Sequence, residues 1–432
     1  MMALPINEAI KKGEGKEVTI RGWIHRERGS NKLKFMILRD STNTIQCVIE
    51  RQVIGDERFE IADKLQVETS MAITGKLKKD DRAPTGFEIS VTGFEVIGPS
   101  DSYPITKDHS PEFLLDKRHL WLRSLRMQNI LKIRSTYIQA RDEFFRDEGF
   151  IRFDAPILQP SQCEGGSTLF EVKYYNDKTY LSQSWQLYAE AAVFSLERIY
   201  NMGPTFRAEK SKTSRHLSEF WMAEAEAAWW NLHDVSEFAK KELKYCINKV
   251  AEERAEELKA LGRDPEDLKK ICKKEWPTIK YREALKILKE KADMKVEFGK
   301  DLRTIEEEKI MENFDVPVVV THYPKEVMAF YKPKDPENPD EALCFDMLAP
   351  EGYGEIVGGS QRSTDIEEMQ AELEKEGEDI KNYDWYFDLR RYGSVPHSGY
   401  GVGTERVIAW ICRLDNIKDA IPFPRTMLRK SP

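Results

Sequence analysis

His397-Ser398-Gly399-Tyr400-Gly401-Val402-Gly403-Thr404-Glu405-Arg406 is the stretch on which the reading of this chain turns. Three glycines at spacing two run into the apolar, helix-like segment from Val407 to Cys412. A strand with no Cβ atoms on one face can press flat against a planar base. The arginine arrives at the helix start with a planar fork suited to phosphate oxygens. Alone, the pattern reads more readily as a tight strand-to-helix packing turn than as a phosphate site. Three upstream segments shift that balance.

Phe150 to Leu158 reads as a strand closed by Pro156. Phe206-Arg207-Ala208-Glu209 is followed by a basic loop (Lys210, Lys212, Arg215, His216) and a strand from Phe220 to Trp229. Gly354-Glu355-Ile356-Val357-Gly358-Gly359-Ser360-Gln361-Arg362 precedes the glycine run. Together these segments resemble the three signature motifs of class II aminoacyl-tRNA synthetases. Their wording is nearest the aspartyl/asparaginyl branch, and within it the archaeal-type asparaginyl enzymes. The resemblance extends from Trp23 to Pro432. It implies an α+β fold: an N-terminal OB-fold β-barrel, then a catalytic domain of antiparallel sheet flanked by helices. It also implies ATP and Mg²⁺ as cofactors, tRNA(Asn) and L-asparagine as partners, and a homodimer formed through the Pro156 region.

Bulk properties agree with an enzyme of this size. The chain has 432 residues, 33% charged and 40% hydrophobic, enough for two or three domains with a sizeable core. No apolar run reaches the roughly 18 residues of a membrane span, and the first residues lack a secretory pattern. The six cysteines form no Cys-x-x-Cys pair, which argues against a zinc site or disulfide framework and for a reducing cytoplasm. The net charge of −8 disfavours a nucleic-acid coat protein but allows a local basic RNA footprint. The high charge content also fits thermophilic ion-pair networks.

Residues 1–100 alternate in short strands (Val18–His25, Lys34–Arg39, Thr44–Ile49, Ser70–Gly75, Phe87–Val96), as in a small Greek-key barrel. Turn-rich residues 99–104 mark a boundary, so 101–130 is expected to be a linker and 131–432 the catalytic domain. Helical periodicity spans Met127 to Glu148, with Gly149 as its stop. A charged helical insertion is expected at about 233–300, with Asp234 as a cap and Asp264-Pro265 opening a second helix. Val235, Phe238, Cys246, Ile247 and Val250 form one apolar stripe, and the run of Lys and Glu reads as a solvated face.

Joining a carboxylate to the α-phosphate of ATP needs positive charge on the phosphates and in-line geometry. By resemblance, Arg207 clamps the α-phosphate and the amino-acid carboxylate. Glu209 holds the adenine or orients the loop, Arg215 and His216 meet the outer phosphates, and Arg406 covers the far side. Leu217, Gly403 and Glu405 complete the ATP subsite. Arg207, Arg406 and Glu355 carry the catalytic roles. Glu355 and Asp346 are the candidate Mg²⁺ ligands, as hard oxygens suited to that ion. Glu164, beside Gly165-Gly166, would meet the substrate's ammonium. Ser184, Gln186 and Gly358 would line the amino-acid pocket, and Arg362 would reach the side-chain carbonyl.

Two positions separate the candidate amino acids. Aspartyl members carry a lysine where this chain has Ala189, and an aspartate where it has Glu224. Losing the cation removes a carboxylate's partner, while the longer anion offers an acceptor to a carboxamide. Asparagine–tRNA ligation is therefore the expected reaction. A non-discriminating aspartyl enzyme, an asparagine synthetase of the same fold and an inactive RNA-binding relative are the alternatives. In the barrel, Phe35 and Gln46 match the family positions that stack on and bond an anticodon base, with Arg26 and Arg28 on phosphates. On strand alternation alone, Phe35 would instead be core. Lys210-Ser211-Lys212-Thr213-Ser214 mimics the lysine signature of class I enzymes, but no histidine-glycine-histidine partner precedes it.

Overall fold

The structure is a computed structural model that describes residues 2–83, 85–106, 109–164, 168–211, 213 and 215–432. It divides into two units, Met1–Leu114 and Leu115–Pro432.

In the first unit, β1 (Glu17–Gly29), β2 (Leu33–Arg39), β3 (Thr44–Glu50), β4 (Ser70–Lys79) and β5 (Phe87–Gly98) close into a barrel of order β1-β2-β3-β5-β4. Period-two alternation fills it: Ile20, Ile24, Met36, Leu38, Cys47 and Ile73 are fully buried. Closure needs one parallel contact, Gln46 opposite Glu88 through Val48 opposite Ser90. The five expected strands are all present, each longer than its sequence pattern suggests.

The second unit is an eight-stranded sheet. Helix α1 (Leu125–Asp147) leads in, with Ser124 accepting from the Met127 N–H as its cap. Next come β6 (Ile151–Arg152), β7 (Leu158–Gln159), the hairpin β8 (Glu171–Tyr174) and β9 (Asp177–Leu181), and α2 (Gln186–Leu196). The strands β10 (Arg198–Phe206) and β11 (Glu219–Ala228) are followed by α3 (Leu232–Glu253), α4 (Ala255–Ala260) and α5 (Pro265–Lys273). Later elements include β12 (Thr278–Lys280), β13 (Val318–Thr321), β14 (Cys344–Ala349), β15 (Gly354–Gln361), α6 (Asp384–Arg391), β16 (His397–Gly403) and α7 (Thr404–Cys412). Sheet order is β12-β13-β14-β15-β16-β11-β10-β6, antiparallel except at its two ends.

Helices α1, α3 and α7 cover one face. Tyr137, Phe145, Leu243, Ile247, Val402 and Trp410 form the core between them and the sheet. Inside it Glu242 joins three elements, bonded to Arg141 of α1 and to the Tyr400 hydroxyl of β16. A buried carboxylate is tolerated because both partners are aimed at it.

Several expectations shift. Phe150–Leu158 is not one strand: Ile151–Arg152 pairs with β10, then the chain leaves for the small sheet β7-β9-β8. Pro156, lacking an N–H, stands at the break. The later strand ends at Ala228, because Trp229 takes a left-handed φ of 68° and donates its N–H to Pro396. Asn231, not Asp234, caps α3; Asp234 is the third residue of the capping box. The expected insertion is only partly peripheral, since Val235, Ala239, Leu243, Cys246 and Ile247 are fully buried in the main core and Thr278–Lys280 adds an edge strand. Within the stretch expected to be a linker, Arg118 is 1% exposed and donates to the carbonyls of Lys418, Ile421 and Pro422.

Gly399 is the tightest glycine of the sheet. A Cβ there would lie 1.8 Å from Glu226 Oε2 and 2.6 Å from the Ala225 carbonyl. Gly399→Ala is expected to cost about 1–3 kcal/mol of stability through overpacking, read as a lowered Tm in thermal denaturation.

Candidate active site

The opposite sheet face carries the site. Alternation on β11 sends Ala223, Ala225 and Ala227 to the core and turns Met222, Glu224 and Glu226 to the other side. Register then aligns strands laterally: Asp346 lies opposite Gly358, Gly358 opposite Gly401, and Gly401 opposite Glu224. One row thus has a carboxylate at each end and two glycines between. The floor stays flat because a Cβ on Gly358 would stand 3.4 Å from both Asp346 Oδ1 and Glu355 Oε1. Gly399 serves a different end from the one expected: its bare face makes room for Glu226, not for a ligand.

The cavity over this floor encloses about 190 Å³. Every residue expected at the ATP, metal and amino-acid ends lines it. Arg207 reaches it from the end of β10, its guanidinium 5.7 Å from the Phe220 ring centre. Its buried Nε has no hydrogen-bond partner among the described residues. Such a donor is poised for an anion. Arg406, at the start of α7, donates to the Glu355 carbonyl at 2.8 Å and its carboxylate at 3.0 Å. Arg215 is held by Glu308 and the Gly352 carbonyl. His216 lies 3.5 Å from Glu209, and burial lowers its pKa. Leu217 packs with Ile417 and Ile421. Glu405 is turned to the wall, paired with Arg134 at 2.7 Å and accepting the Trp221 N–H at 3.0 Å. Lys212 and Gly165-Gly166 lie outside the described residues.

Acidity concentrates between β14 and β15. Burial, and then the Glu355 charge, push Asp346 well above the usual carboxylate range and Glu307 up to about 7. Asp346 and Glu355 both present hard oxygens over Gly358, a donor set that suits a divalent cation such as Mg²⁺.

At the other end, Glu224 accepts from Ser184 Oγ at 2.5 Å and from the Trp185 N–H at 3.2 Å. Burial raises its pKa despite these bonds. Arg362 forks onto Glu226, Nε at 2.7 Å and Nη2 at 2.8 Å. Gln186 donates to Glu190 at 2.9 Å, and Glu164 accepts from the Tyr331 hydroxyl at 2.6 Å. Sequence reading passed over Glu226, Tyr331 and Lys332, all of which line the cavity. Glu226 was findable, two residues beyond Glu224 on the same strand face. Tyr331 and Lys332 follow β13 in a turn-rich segment with no periodicity to single them out.

Trp185 has two roles. Its backbone N–H binds Glu224, and its indole donates to the Phe153 carbonyl at 2.8 Å. The ring packs with Ala189, Val193 and Ile199 in an apolar cluster. Ala189 is one turn along the helix from Trp185, so the small residue accommodates the large one. Ala189→Lys is therefore expected to bury an unpaired ammonium, costing roughly 3 kcal/mol, and not to confer aspartate activity. A thermal melt and an aspartate-charging assay check both halves.

In the barrel unit Arg26 and Arg28 are exposed, with Arg28 5.2 Å over the Phe35 ring. Phe35 belongs to the outward set of β2, alternating with buried Lys34 and Met36, and is not part of the barrel core. Gln46 donates to Glu88 at 3.0 Å.

The family described as tRNA synthetases class II (D, K and N) matches residues 110–427, and an OB-fold nucleic acid binding domain matches residues 18–97. An asparagine–tRNA ligase of Thermoplasma acidophilum is 45% identical over 418 residues, 97% of each chain. The crystal structure of the Pyrococcus horikoshii asparaginyl-tRNA synthetase complexed with asparaginyl-adenylate superposes with a TM-score of 0.96 at 44% identity, covering all of both chains. The Entamoeba histolytica enzyme with the same adenylate gives 0.89 at 30% identity, again over the whole of both chains.

Proposed function

The chain belongs to the class II tRNA synthetases, and from that premise we infer that it carries out asparagine–tRNA ligation in this cavity. Asparagine and ATP give asparaginyl-adenylate and pyrophosphate; the terminal ribose hydroxyl of tRNA(Asn) then takes the aminoacyl group and AMP leaves. The observation that carries the choice of amino acid is Glu224, a buried carboxylate that lines the cavity together with Arg362.

In the first step a carboxylate oxygen of asparagine attacks the α-phosphorus and pyrophosphate departs. Arg207 holds the carboxylate and the α-phosphate together, which converts encounter into in-line geometry. Arg406 lies across the nucleotide from it, and the strip of Gly358, Gly401 and Gly403 admits the flat parts of the ligand. Glu164 and Gln186 take the ammonium group. Glu224 accepts from the carboxamide NH₂ while Arg362 donates to its carbonyl. Asp346 and Glu355 would hold Mg²⁺, which when bound neutralises phosphate charge.

Phe35, Gln46, Arg26 and Arg28 form the anticodon face, stacking, edge bonding and phosphate contact being the means by which single strands are read. The presence of this barrel favours ligation over free-asparagine synthesis. Exposed Ile151, Ile157 and Leu158 around Pro156 support a homodimer through that region. Six buried, unpaired cysteines suit a reducing cytoplasm. No helix among the described residues is long and apolar enough to cross a membrane.

Charging of total tRNA with labelled asparagine and labelled aspartate, side by side, tests the reading. Asparagine alone on tRNA is the expected result. Comparable aspartate charging would make the enzyme non-discriminating, and no charging with either would favour a biosynthetic or regulatory relative.

A further inference from the structure

Behind the side-chain end of the cavity lies a set of buried charges that the adenylation chemistry leaves without a task. Its centre is Glu190 on α2, fully buried. It accepts from Gln186 Nε2 at 2.9 Å, from the Tyr386 hydroxyl at 2.7 Å and from Arg390 Nη2. His397 Nε2 lies 3.0 Å from the same carboxylate, and Arg362 Nε stands 4.0 Å from it. Arg362 completes its own bonding with Glu226 and, at 2.8 Å, Ser360 Oγ. Five elements, α2, β11, β15, α6 and β16, therefore meet at one carboxylate and the guanidinium beside it.

The charges nearly cancel. Glu190 and Glu226 are set against the guanidiniums of Arg362 and Arg390, two anions against two cations. Burial alone would raise the Glu190 pKa, but Arg390, His397 and Arg362 hold it well below the usual carboxylate range, so it is ionised. Glu190, Glu226 and His397 have the mutual spacing of metal ligands, within 4.8 Å, yet the two arginines already supply the positive charge there. Arg390 also donates its Nε to the Ser363 carbonyl at 3.0 Å, which fixes the guanidinium against Glu190.

We propose that Glu190 is a positioning residue for amino-acid specificity: it aims the Gln186 amide at the substrate and cancels the arginine charge behind the side-chain pocket. With one hydrogen of Gln186 Nε2 taken by Glu190, the amide is oriented and its Oε1 is free to accept from the substrate's ammonium. With the arginines matched by carboxylates, the wall offers no surplus positive charge to a substrate carboxylate. Aspartate is refused by that balance as well as by Glu224 itself. The inference rests on the reading that the cavity takes asparagine.

Glu190→Gln keeps the shape and removes the charge. Tyr386→Phe removes one bond to the hub at nearly constant volume, and carries the test should the first variant not fold. For both variants and the wild type, kcat/KM is measured for asparagine and for aspartate by amino-acid-dependent pyrophosphate exchange, alongside thermal denaturation. Glu190→Gln is expected to lower the asparagine-to-aspartate ratio by about tenfold or more, through gained aspartate activity and a raised asparagine KM. Tyr386→Phe is expected to lower it by about threefold, as one of several bonds is lost. A discriminating wild type with the ratio unchanged in the folded variants, whatever happens to Tm, would reduce Glu190 to a structural ion and overturn the proposal alone. A wild type that uses both amino acids equally would overturn the asparagine reading and the hub's role with it.

Discussion

Arg207→Ala is expected to slow asparaginyl-adenylate formation by about two to three orders of magnitude, measured as asparagine-dependent pyrophosphate exchange. The size follows from what a preorganised donor contributes where charge moves during reaction. Arg207 is unusual among the arginines of the cavity. Arg362 is forked onto Glu226, Arg406 is paired with Glu355, and Arg215 is held by Glu308. Arg207 Nε is buried without a hydrogen-bond partner among the described residues, and its contact is the face of Phe220. Keeping a buried donor unbonded costs free energy in the empty enzyme, and the reacting carboxylate and phosphate return it. Removing Arg207 should therefore leave the fold as stable as before, or more so, while the chemical step collapses. A loss of activity matched by an equal loss of Tm would place the residue in the scaffold instead. Arg207→Lys should recover little, because one ammonium cannot bridge two planar anions as a guanidinium can.

The glycine run His397–Gly403 was legible because two signals coincided in it: strand alternation and the absence of side chains on one face. Its neighbours across the sheet were legible only through resemblance. Nothing in Asp346 or Glu355 alone says that strands β14 and β15 pair so as to bring both carboxylates over Gly358. That adjacency belongs to the register, which depends on tertiary packing. The barrel strands were found because period-two burial is local. Phe150–Leu158 was misread as one strand, because departure to a second sheet leaves no mark on a short apolar run beyond its proline. The apolar stripe of α3 was legible as helical periodicity, but its partner was not, because the sheet and the helix α1 that it packs against are distant in sequence. Glu190 was invisible, since a lone glutamate in Ala-Glu-Ala-Ala looks like an ordinary helix residue until α6 and β16 bring Arg390 and His397 onto it.

Glu224→Gln should cost roughly a hundredfold in kcat/KM for asparagine, about the worth of one strong charge-assisted hydrogen bond. The glutamine still accepts from Ser184 and Trp185, so the wall stays in place, but the carboxamide NH₂ of the substrate loses its anion. Aspartate, no longer repelled, should gain, and the two amino acids should approach parity. Titration offers a second check on the same residue. Burial raises the Glu224 pKa, so on acidification it takes up a proton before ordinary surface carboxylates do. Protonated, it is a donor facing a donor, and the KM for asparagine should climb as pH falls, starting above the usual carboxylate range. In Glu224→Gln that limb of the profile should vanish. The stability effect has the opposite sign. A carboxyl whose pKa is raised by folding binds its proton more tightly in the folded state, so its contribution is favourable in acid and is lost as pH rises through the folded value. At neutral pH the wild type therefore holds Glu224 ionised at a cost to stability, and Glu224→Gln should melt no lower than wild type. A variant that loses asparagine while gaining or keeping Tm would identify Glu224 as retained for recognition. Unchanged asparagine kinetics, with no shift in the pH profile, would return the discrimination to Arg362 and the charges behind it.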